Sequence, residues 1–358
     1  MGTVSTSEGI STNELQLALR NSGMPLEALR WPLTPPGLHY LLCHYDIPMV
    51  DVEAWRLELA GRVARPATFS LEELKRRETV TVPVTMECAG NDRARMTPRP
   101  ISQPWLGGAV GTAAWTGTPL AGLLREAGVT GEATEVLFTG LDRGVEGGIT
   151  QVYERSLPIS EALEADAILA WGIGDVELLP QHGYPLRLIV PGWYGMTNVK
   201  WLRRITVLDA PFDGYHQAHG YRIRQSDDEP GEPVTRILPR ALMIPPGIPD
   251  FMTRRRFVVS GVHRLEGRAW SGWGDVTRVQ VSATGGRRWD EAELGDAVGR
   301  HAWRSWSYPW AAAEPGDYQL ACRAWDSEGN VQPLEPEWNL GGYANNAVQR
   351  IAVTVTAS

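Results

Sequence analysis

The stretch of this chain best suited to chemistry is Thr79-Val-Thr-Val-Pro-Val-Thr-Met-Glu-Cys88-Ala-Gly-Asn91-Asp-Arg93. It begins as a β-branched run, which reads as a strand. It ends at Cys88, followed by Ala-Gly-Asn, residues that turn a chain and let backbone come close to a ligand. Arg93 and Arg95 follow the cysteine. Positive charge nearby lowers a thiol pKa, and a thiolate is a soft metal ligand. Taken alone, a cysteine in a strand is more often a small buried hydrophobe, so the rest of the chain has to decide between the two.

Other polar side chains sit where elements end. Gln181-His182-Gly183-Tyr184-Pro185 precedes a buried apolar strand, Leu186-Arg187-Leu-Ile-Val190. That strand runs into an irregular loop, Pro191-Gly-Trp-Tyr-Gly-Met-Thr-Asn198-Val-Lys200-Trp201. Asp142 follows a strand over 134–140. Leu38-His39-Tyr40-Leu-Leu42-Cys43-His44 lies in an extended, proline-rich segment, since Pro32, Pro35, Pro36 and Pro48 forbid a long helix.

These residues need a scaffold, and the patterning supplies one. Residues 55–61 alternate like a strand. Ser70 with Glu73 has capping-box spacing and opens a short helix. Residues 119–128 read as a helix closed by Gly128, 159–167 as a short helix, and 205–208 as a strand. Strands and short helices are interspersed without regular alternation, which favours α+β over a doubly wound sheet. Residues 225–255 are rich in proline, a composition expected of a linker. Beyond them come runs such as Val276-Thr-Arg-Val-Gln-Val-Ser and Gly316-Asp-Tyr-Gln-Leu-Ala-Cys-Arg-Ala-Trp. Their spacing is that of an immunoglobulin-like sandwich, with Cys322 in its core. The expected organisation is an arm over 1–24, a first domain over 25–228, a linker over 229–255 and a β-sandwich over 256–358.

Composition narrows the function. The chain has 358 residues, 34 basic and 42 acidic, for a net charge of −8. A nucleic-acid partner is disfavoured, because nothing supplies a basic stripe for phosphate neutralisation. Three scattered cysteines, Cys43, Cys88 and Cys322, do not make a disulfide framework. No apolar run approaches the length of a membrane span. Residues 1–13 are polar, without a leader's apolar region, so the chain as written is expected to be cytoplasmic, though a leader removed earlier would leave no trace.

Four stretches, in this order, resemble the sulfite oxidase family of molybdenum enzymes: Met-Glu-Cys88-Ala-Gly-Asn, Gln181-His-Gly-Tyr-Pro-Leu-Arg187, Pro191-Gly-Trp-Tyr-Gly-Met-Thr-Asn-Val-Lys200-Trp-Leu, and Pro336-Glu-Trp-Asn-Leu-Gly. The similarity runs from about Pro32 to the C-terminus. It implies an α+β molybdopterin-binding domain followed by an immunoglobulin-like dimerisation domain. It implies molybdenum held by molybdopterin, with Cys88 as the protein's metal ligand. His44, His182, Arg187 and Lys200 would then neutralise the cofactor's phosphate and pterin, and Asp142 and Asn198 would read the pterin's edges. Tyr221 matches the family's active-site tyrosine and Arg93 one of its pocket arginines.

The implied reaction is two-electron oxidoreduction with oxygen-atom transfer, sulfite to sulfate being the first expectation. Electrons would pass to an external acceptor such as a cytochrome, since the chain has no Cys-x-x-Cys-His haem motif and no haem or flavin domain. Two departures bear on the substrate. Leu42 and Gly341 stand where the family carries arginines. A less anionic S- or N-oxide, or another sulfur compound, is therefore the alternative, and a cofactor-holding protein with little turnover the third reading.

Overall fold

A computed structural model describes residues 9–357. The first eight residues of the expected arm, and Ser358, lie outside them.

The first domain is built on two sheets. One runs in the order Ala67–Phe69, Leu57–Gly61, Leu202–Leu208, Glu135–Glu146, Ile149–Pro158. Its only parallel pair is Leu57–Gly61 with Leu202–Leu208. The other runs Val80–Glu87, Val110–Pro119, Ile168–Ile173, Val176–Glu177, with Arg187–Ile189 also paired to Ile168–Ile173. The helix Leu120–Ala127 turns Leu120, Leu123, Leu124 and Ala127 inward and stops at Gly128, whose φ of 71° suits a residue without Cβ. Ser70 and Glu73 form the capping box their spacing predicts. A core of Leu57, Leu59, Phe138, Leu186, Leu188, Leu202 and Ile205 fills the space between the layers. This is the α+β architecture read from the pattern.

The second domain is a two-sheet sandwich. One sheet is Arg240–Met243, Gly261–Trp270, Arg304–Ala312, Glu293–Ala297. The other is Ile248–Pro249, Arg256–Val259, Gln349–Thr356, Gly316–Asp326, Val276–Ser282, Asp290–Glu291. Trp306, Trp310, Leu320, Val279, Val353 and the expected Cys322 make its core.

Two boundaries differ from expectation. Residues 229–255 are not a free linker: Arg240–Met243 is a wholly buried strand, paired with Gly261–Trp270 in the sandwich. Its prolines bracket the strand, which composition averaged over the segment conceals. The arm is also tied down. Ser11 caps the helix Thr12–Arg20, and Glu14 is buried against Arg99. That pair holds the Glu14 carboxyl down at about 2, with the Arg99 hydrogen bond as the main cause.

The two domains share a cluster that includes Met24, Leu29, Ala89, Val110, Tyr194, Ile237, Leu242, Trp270 and Trp303. Ala89 is the residue after Cys88, so the interdomain seam and the Cys88 loop are one packed unit.

Candidate active site

Strand Val80–Glu87 delivers Cys88 to the end of its sheet. The Cys88 amide donates to Ala109 O at 2.9 Å, and its carbonyl accepts from the Asn91 amide at 3.0 Å. Asn91 braces the loop at both ends of its side chain. Its Nδ2 donates to Glu87 Oε1 at 2.8 Å, and its Oδ1 accepts from the Ala109 amide at 2.9 Å.

The second domain supports the same loop. Arg240, fully buried, donates to Glu87 Oε1 at 3.3 Å and to Asn345 O at 2.6 Å, and pairs with Asp92. Trp270 Nε1 donates to Glu87 Oε2 at 2.8 Å, and Asn345 Nδ2 to Asp92 O at 2.9 Å.

Cys88 forms part of the wall of a cavity between these elements. Eight of the expected residues line it: His44, Cys88, Asp142, His182, Arg187, Asn198, Lys200 and Tyr221. The structure adds His39, Leu42, Met86, Tyr153 and Met196.

One group holds the positive charge. Arg187 donates from Nη1 to His182 O at 2.9 Å and from Nη2 to Asn198 O at 3.3 Å, and lies over the Trp115 ring at 4.8 Å. Its buried Nε has no partner. Lys200 Nζ donates to Leu42 O at 2.8 Å and Gln181 O at 2.9 Å, and contacts Cys43 Sγ at 3.5 Å. Among the described residues neither cation forms a salt bridge, and burial lowers Arg187 to about 10 and Lys200 to about 8. Burial also lowers His182 to about 3 and His39 to about 4, so both imidazoles are neutral. A buried and a half-buried cation without a carboxylate partner are costly unless an anion joins them.

Asp142 is placed by an irregularity. The pairing of Glu135–Glu146 with Ile149–Pro158 shifts between Thr139 and Arg143, and bulges of this kind re-aim a side chain. Asp142 Oδ1 is buried without a partner. Burial pushes its carboxyl up to about 6, against the pull of Lys200 and His44. The cofactor-free native state therefore keeps a proton that the unfolded chain, with a pKa near 4, has released. The stability from this group is full below the unfolded value and is lost as pH rises through about 6. Asp142→Asn should therefore stabilise the cofactor-free protein at pH 8 by about 1–3 kcal/mol, with no gain below about pH 4. Thermal unfolding at the two pH values checks this.

Four expectations change with the geometry. His44, expected beside the cofactor phosphate, sits instead with Tyr153 (rings 5.4 Å apart) and Tyr221, whose Oη is 3.4 Å from His44 Nδ1. His39 takes the place beside His182, their rings 6.0 Å apart. Asn198 spends its amide on the loop: Oδ1 accepts from the Val190 amide at 2.7 Å and Nδ2 donates to Tyr194 O at 3.3 Å. Arg93 does not line the cavity. Its guanidinium donates to Gly341 O at 2.9 Å and Gln103 O at 3.2 Å and lies 5.2 Å from the Tyr343 ring centre. Finally, burial outweighs the neighbouring charge at Cys88 and raises its thiol pKa, although Arg93 pulls it down. Arg95 is bonded to Asp92 and half exposed. A thiol in this setting is deprotonated by a bound metal rather than by its surroundings.

Two residues here carried no signal in the sequence. Tyr343 stacks on Tyr221 at 5.3 Å, and a Cβ on Gly341 would meet its ring at 2.2 Å. Tyr343 thus fills the space beside the position where the family's arginine begins. Arg155 is buried behind Tyr221, 5.6 Å from its ring centre, with Nη1 on His216 O and Nε unpartnered. Its place in the strand Ile149–Pro158 looks like any alternating position, so only the fold brings it here.

Two protein-family models match the chain. The oxidoreductase molybdopterin binding domain family matches residues 44–216, and the Mo-co oxidoreductase dimerisation domain family matches residues 254–356. The chain belongs to the sulfite oxidase family of molybdenum oxidoreductases. Among curated relatives, a nitrate reductase [NADH] of Hordeum vulgare is 32% identical over 351 residues, and nitrate reductase [NADH] 1 of Arabidopsis thaliana is 33% identical. Both alignments cover 90% of this chain but only 38% of the relative, so the chain spans under two fifths of those enzymes. The sulfane dehydrogenase SoxCD of Paracoccus pantotrophus shares the fold, with a TM-score of 0.80 and 24% identity over 98% of this chain and 94% of that one.

The cofactor of this family member is molybdenum–molybdopterin. The residues fit it. Arg187 and Lys200 are cations awaiting an anion, Arg187 Nε and Asp142 Oδ1 await polar partners, and Cys88 offers the soft donor.

Proposed function

We propose that this oxidoreductase transfers an oxygen atom between water and a small sulfur- or nitrogen-centred substrate of low negative charge. The single observation behind this is the commitment of the cations. Among the described residues lining the cavity, Arg187 and Lys200 are spent on backbone carbonyls at one end. Leu42, Met86 and Met196 bring apolar surface to the same space, and no lysine or arginine stands beside Tyr221 in the lining.

Bound molybdenum–molybdopterin supplies a redox metal able to exchange an oxygen atom with substrate. The chain's own groups divide the remaining work. With the cofactor bound, Cys88 Sγ would hold the metal, and Arg187, Lys200 and His182 would hold the cofactor's polar end. Asp142 would supply a polar partner for the pterin. Tyr221 presents its phenol, which burial keeps protonated by raising its pKa. The apolar side chains exclude water, which strengthens every polar contact inside. Electrons pass to an external carrier, and the dimerisation-type domain pairs two copies of the chain.

The second reading, sulfite oxidation, is favoured by Arg155. It is a buried cation without a salt bridge, directly behind Tyr221, and a dianion in the pocket would meet its field. Molybdenum-loaded protein should be assayed with sulfite and ferricyanide, and with neutral S- and N-oxides and a reduced viologen. Faster turnover of a neutral oxide than of sulfite is the expected result. Sulfite as the better substrate overturns the proposal in favour of the second reading. Loaded protein silent in both assays overturns both and leaves a cofactor-holding protein.

The same assays check the missing arginine. Leu42→Arg should raise kcat/KM for sulfite by roughly 10- to 100-fold, the value of one charge-assisted contact. The matching change at Gly341 should do less, because Tyr343 obstructs the new side chain.

A further inference from the structure

A line of hydrogen bonds leaves the cavity at Tyr221 and His44. Tyr221 Oη lies 3.4 Å from His44 Nδ1, long for a hydrogen bond, as such contacts are before a substrate closes the site. His44 Nε2 lies 2.9 Å from Glu146 Oε2. The same oxygen accepts from Tyr45 Oη at 2.9 Å, and Tyr45 Oη is 3.0 Å from His216 Nε2. The line runs toward water: the His44 side chain is 27% exposed and that of Glu146 37%.

The fold fixes this line at each member. Tyr221 is held at a φ of 50°, in the left-handed region that tyrosine rarely adopts, and such strain marks functional positions. Glu146 ends its strand at the turn Gly147–Gly148, where the Tyr215 ring packs so closely that a Cβ on Gly147 would lie 2.9 Å from it. Arg155 binds the carbonyl of His216. The hydrogen bonds around Glu146 hold its carboxyl far below the usual range, so a proton it takes from His44 is given up at once to water.

We propose that Tyr221, His44 and Glu146 form the proton path between the reacting site and solvent. This rests on the oxygen-atom-transfer reading above. When water is the oxygen source, substrate plus water gives oxidised substrate, two protons and two electrons. The electrons go to the external carrier protein, and the protons go to bulk water. Each proton passes from Tyr221 Oη to His44 Nδ1 while the His44 Nε2 proton moves to Glu146 Oε2, which releases it to water. The tyrosine is reprotonated from the site, and a return of His44 to its starting tautomer resets the line. Reduction of an oxide runs the same path inward. The order requires neutral His44 to carry its proton on Nε2.

Two measurements test the path, one independent of turnover. In metal-free protein labelled with 15N-histidine at pH 8, the His44 resonances, assigned by their loss in His44→Gln, should show Nδ1 bare and Nε2 protonated. A proton on Nδ1 overturns the path whatever the enzyme's substrate. In loaded enzyme, Glu146→Gln preserves shape but cannot take up the proton. It should lower kcat by about 10- to 100-fold with KM and molybdenum content little changed, and should enlarge the solvent deuterium isotope effect on kcat. An unchanged kcat and isotope effect in fully loaded variant overturns the proposal. Absence of turnover in the wild type bears instead on the oxygen-transfer reading, and the tautomer measurement then decides the path alone.

Discussion

Arg240→Met should lower the thermal midpoint by roughly 6–20 °C and strip the protein of cofactor on purification. Arg240 is fully buried and serves two carboxylates, Glu87 and Asp92, on either side of Cys88. Methionine keeps the volume and removes the charge, so both acids are left in a dry interior. Breaking a buried pair this way costs about 3–5 kcal/mol, and each kcal/mol moves the midpoint by roughly 2–4 °C in a large domain. Glu87 retains Asn91 and Trp270, which limits the loss at that residue.

The pH dependence separates this cause from simple cavity formation. Burial already raises the Glu87 carboxyl with Arg240 in place. Without the guanidinium it rises further, so the native state binds a proton that the unfolded state has released near neutrality. The variant's deficit should therefore be largest at pH 8 and shrink as pH falls to 5. Differential scanning calorimetry at both values reads it, and a deficit independent of pH would point to packing. Adding Glu87→Gln to the variant should recover part of the loss, since the stranded charge is then gone.

Cys88→Ser should reduce molybdenum occupancy by at least about 100-fold while the chain stays folded. Replacing a soft thiolate with a hard, protonated hydroxyl removes the donor suited to this metal. The loop itself does not depend on the sulfur, because its hydrogen bonds run through the Cys88 backbone, Asn91 and Glu87. Pterin should be retained better than metal, since Arg187, Lys200 and Asp142 also line the cavity and are unchanged in this variant. Elemental analysis for molybdenum, and fluorescence of released pterin, measure the two separately. Full occupancy with normal turnover in the serine variant would remove Cys88 from the metal.

The two variants probe one structural fact from opposite sides. The candidate metal ligand, Cys88, comes from the first domain. The residues that hold its loop in place, Arg240, Trp270 and Asn345, come from the second. The second domain thus also positions the Cys88 loop, and a residue remote in sequence reaches that loop through one guanidinium.

Much of this molecule was legible in the chain alone. Local rules were enough for the Ser70 cap, the Gly128 stop, the helix before it and the sandwich strands, because those elements depend on neighbours within a few residues. The ordered motifs were enough to name the cofactor and to place eight residues around one cavity. Spacing could do this because each motif sits at the end of a strand whose direction the apolar pattern sets.

Tertiary structure decided what depends on contacts across long separations. It turned Arg93 toward the Gly341 carbonyl and put Arg155 behind Tyr221. It drew His44 to Glu146 and away from His182, leaving His39 in its stead. It made a strand of the proline-rich segment, because Arg240–Met243 finds a partner in Gly261–Trp270. It also reversed the expected shift at Cys88: two nearby arginines argue for a low thiol pKa, but burial of the sulfur is the larger effect. Sequence spacing reports which groups are near along the chain. Desolvation and partner choice depend on everything that packs around a group, and only the folded chain determines that.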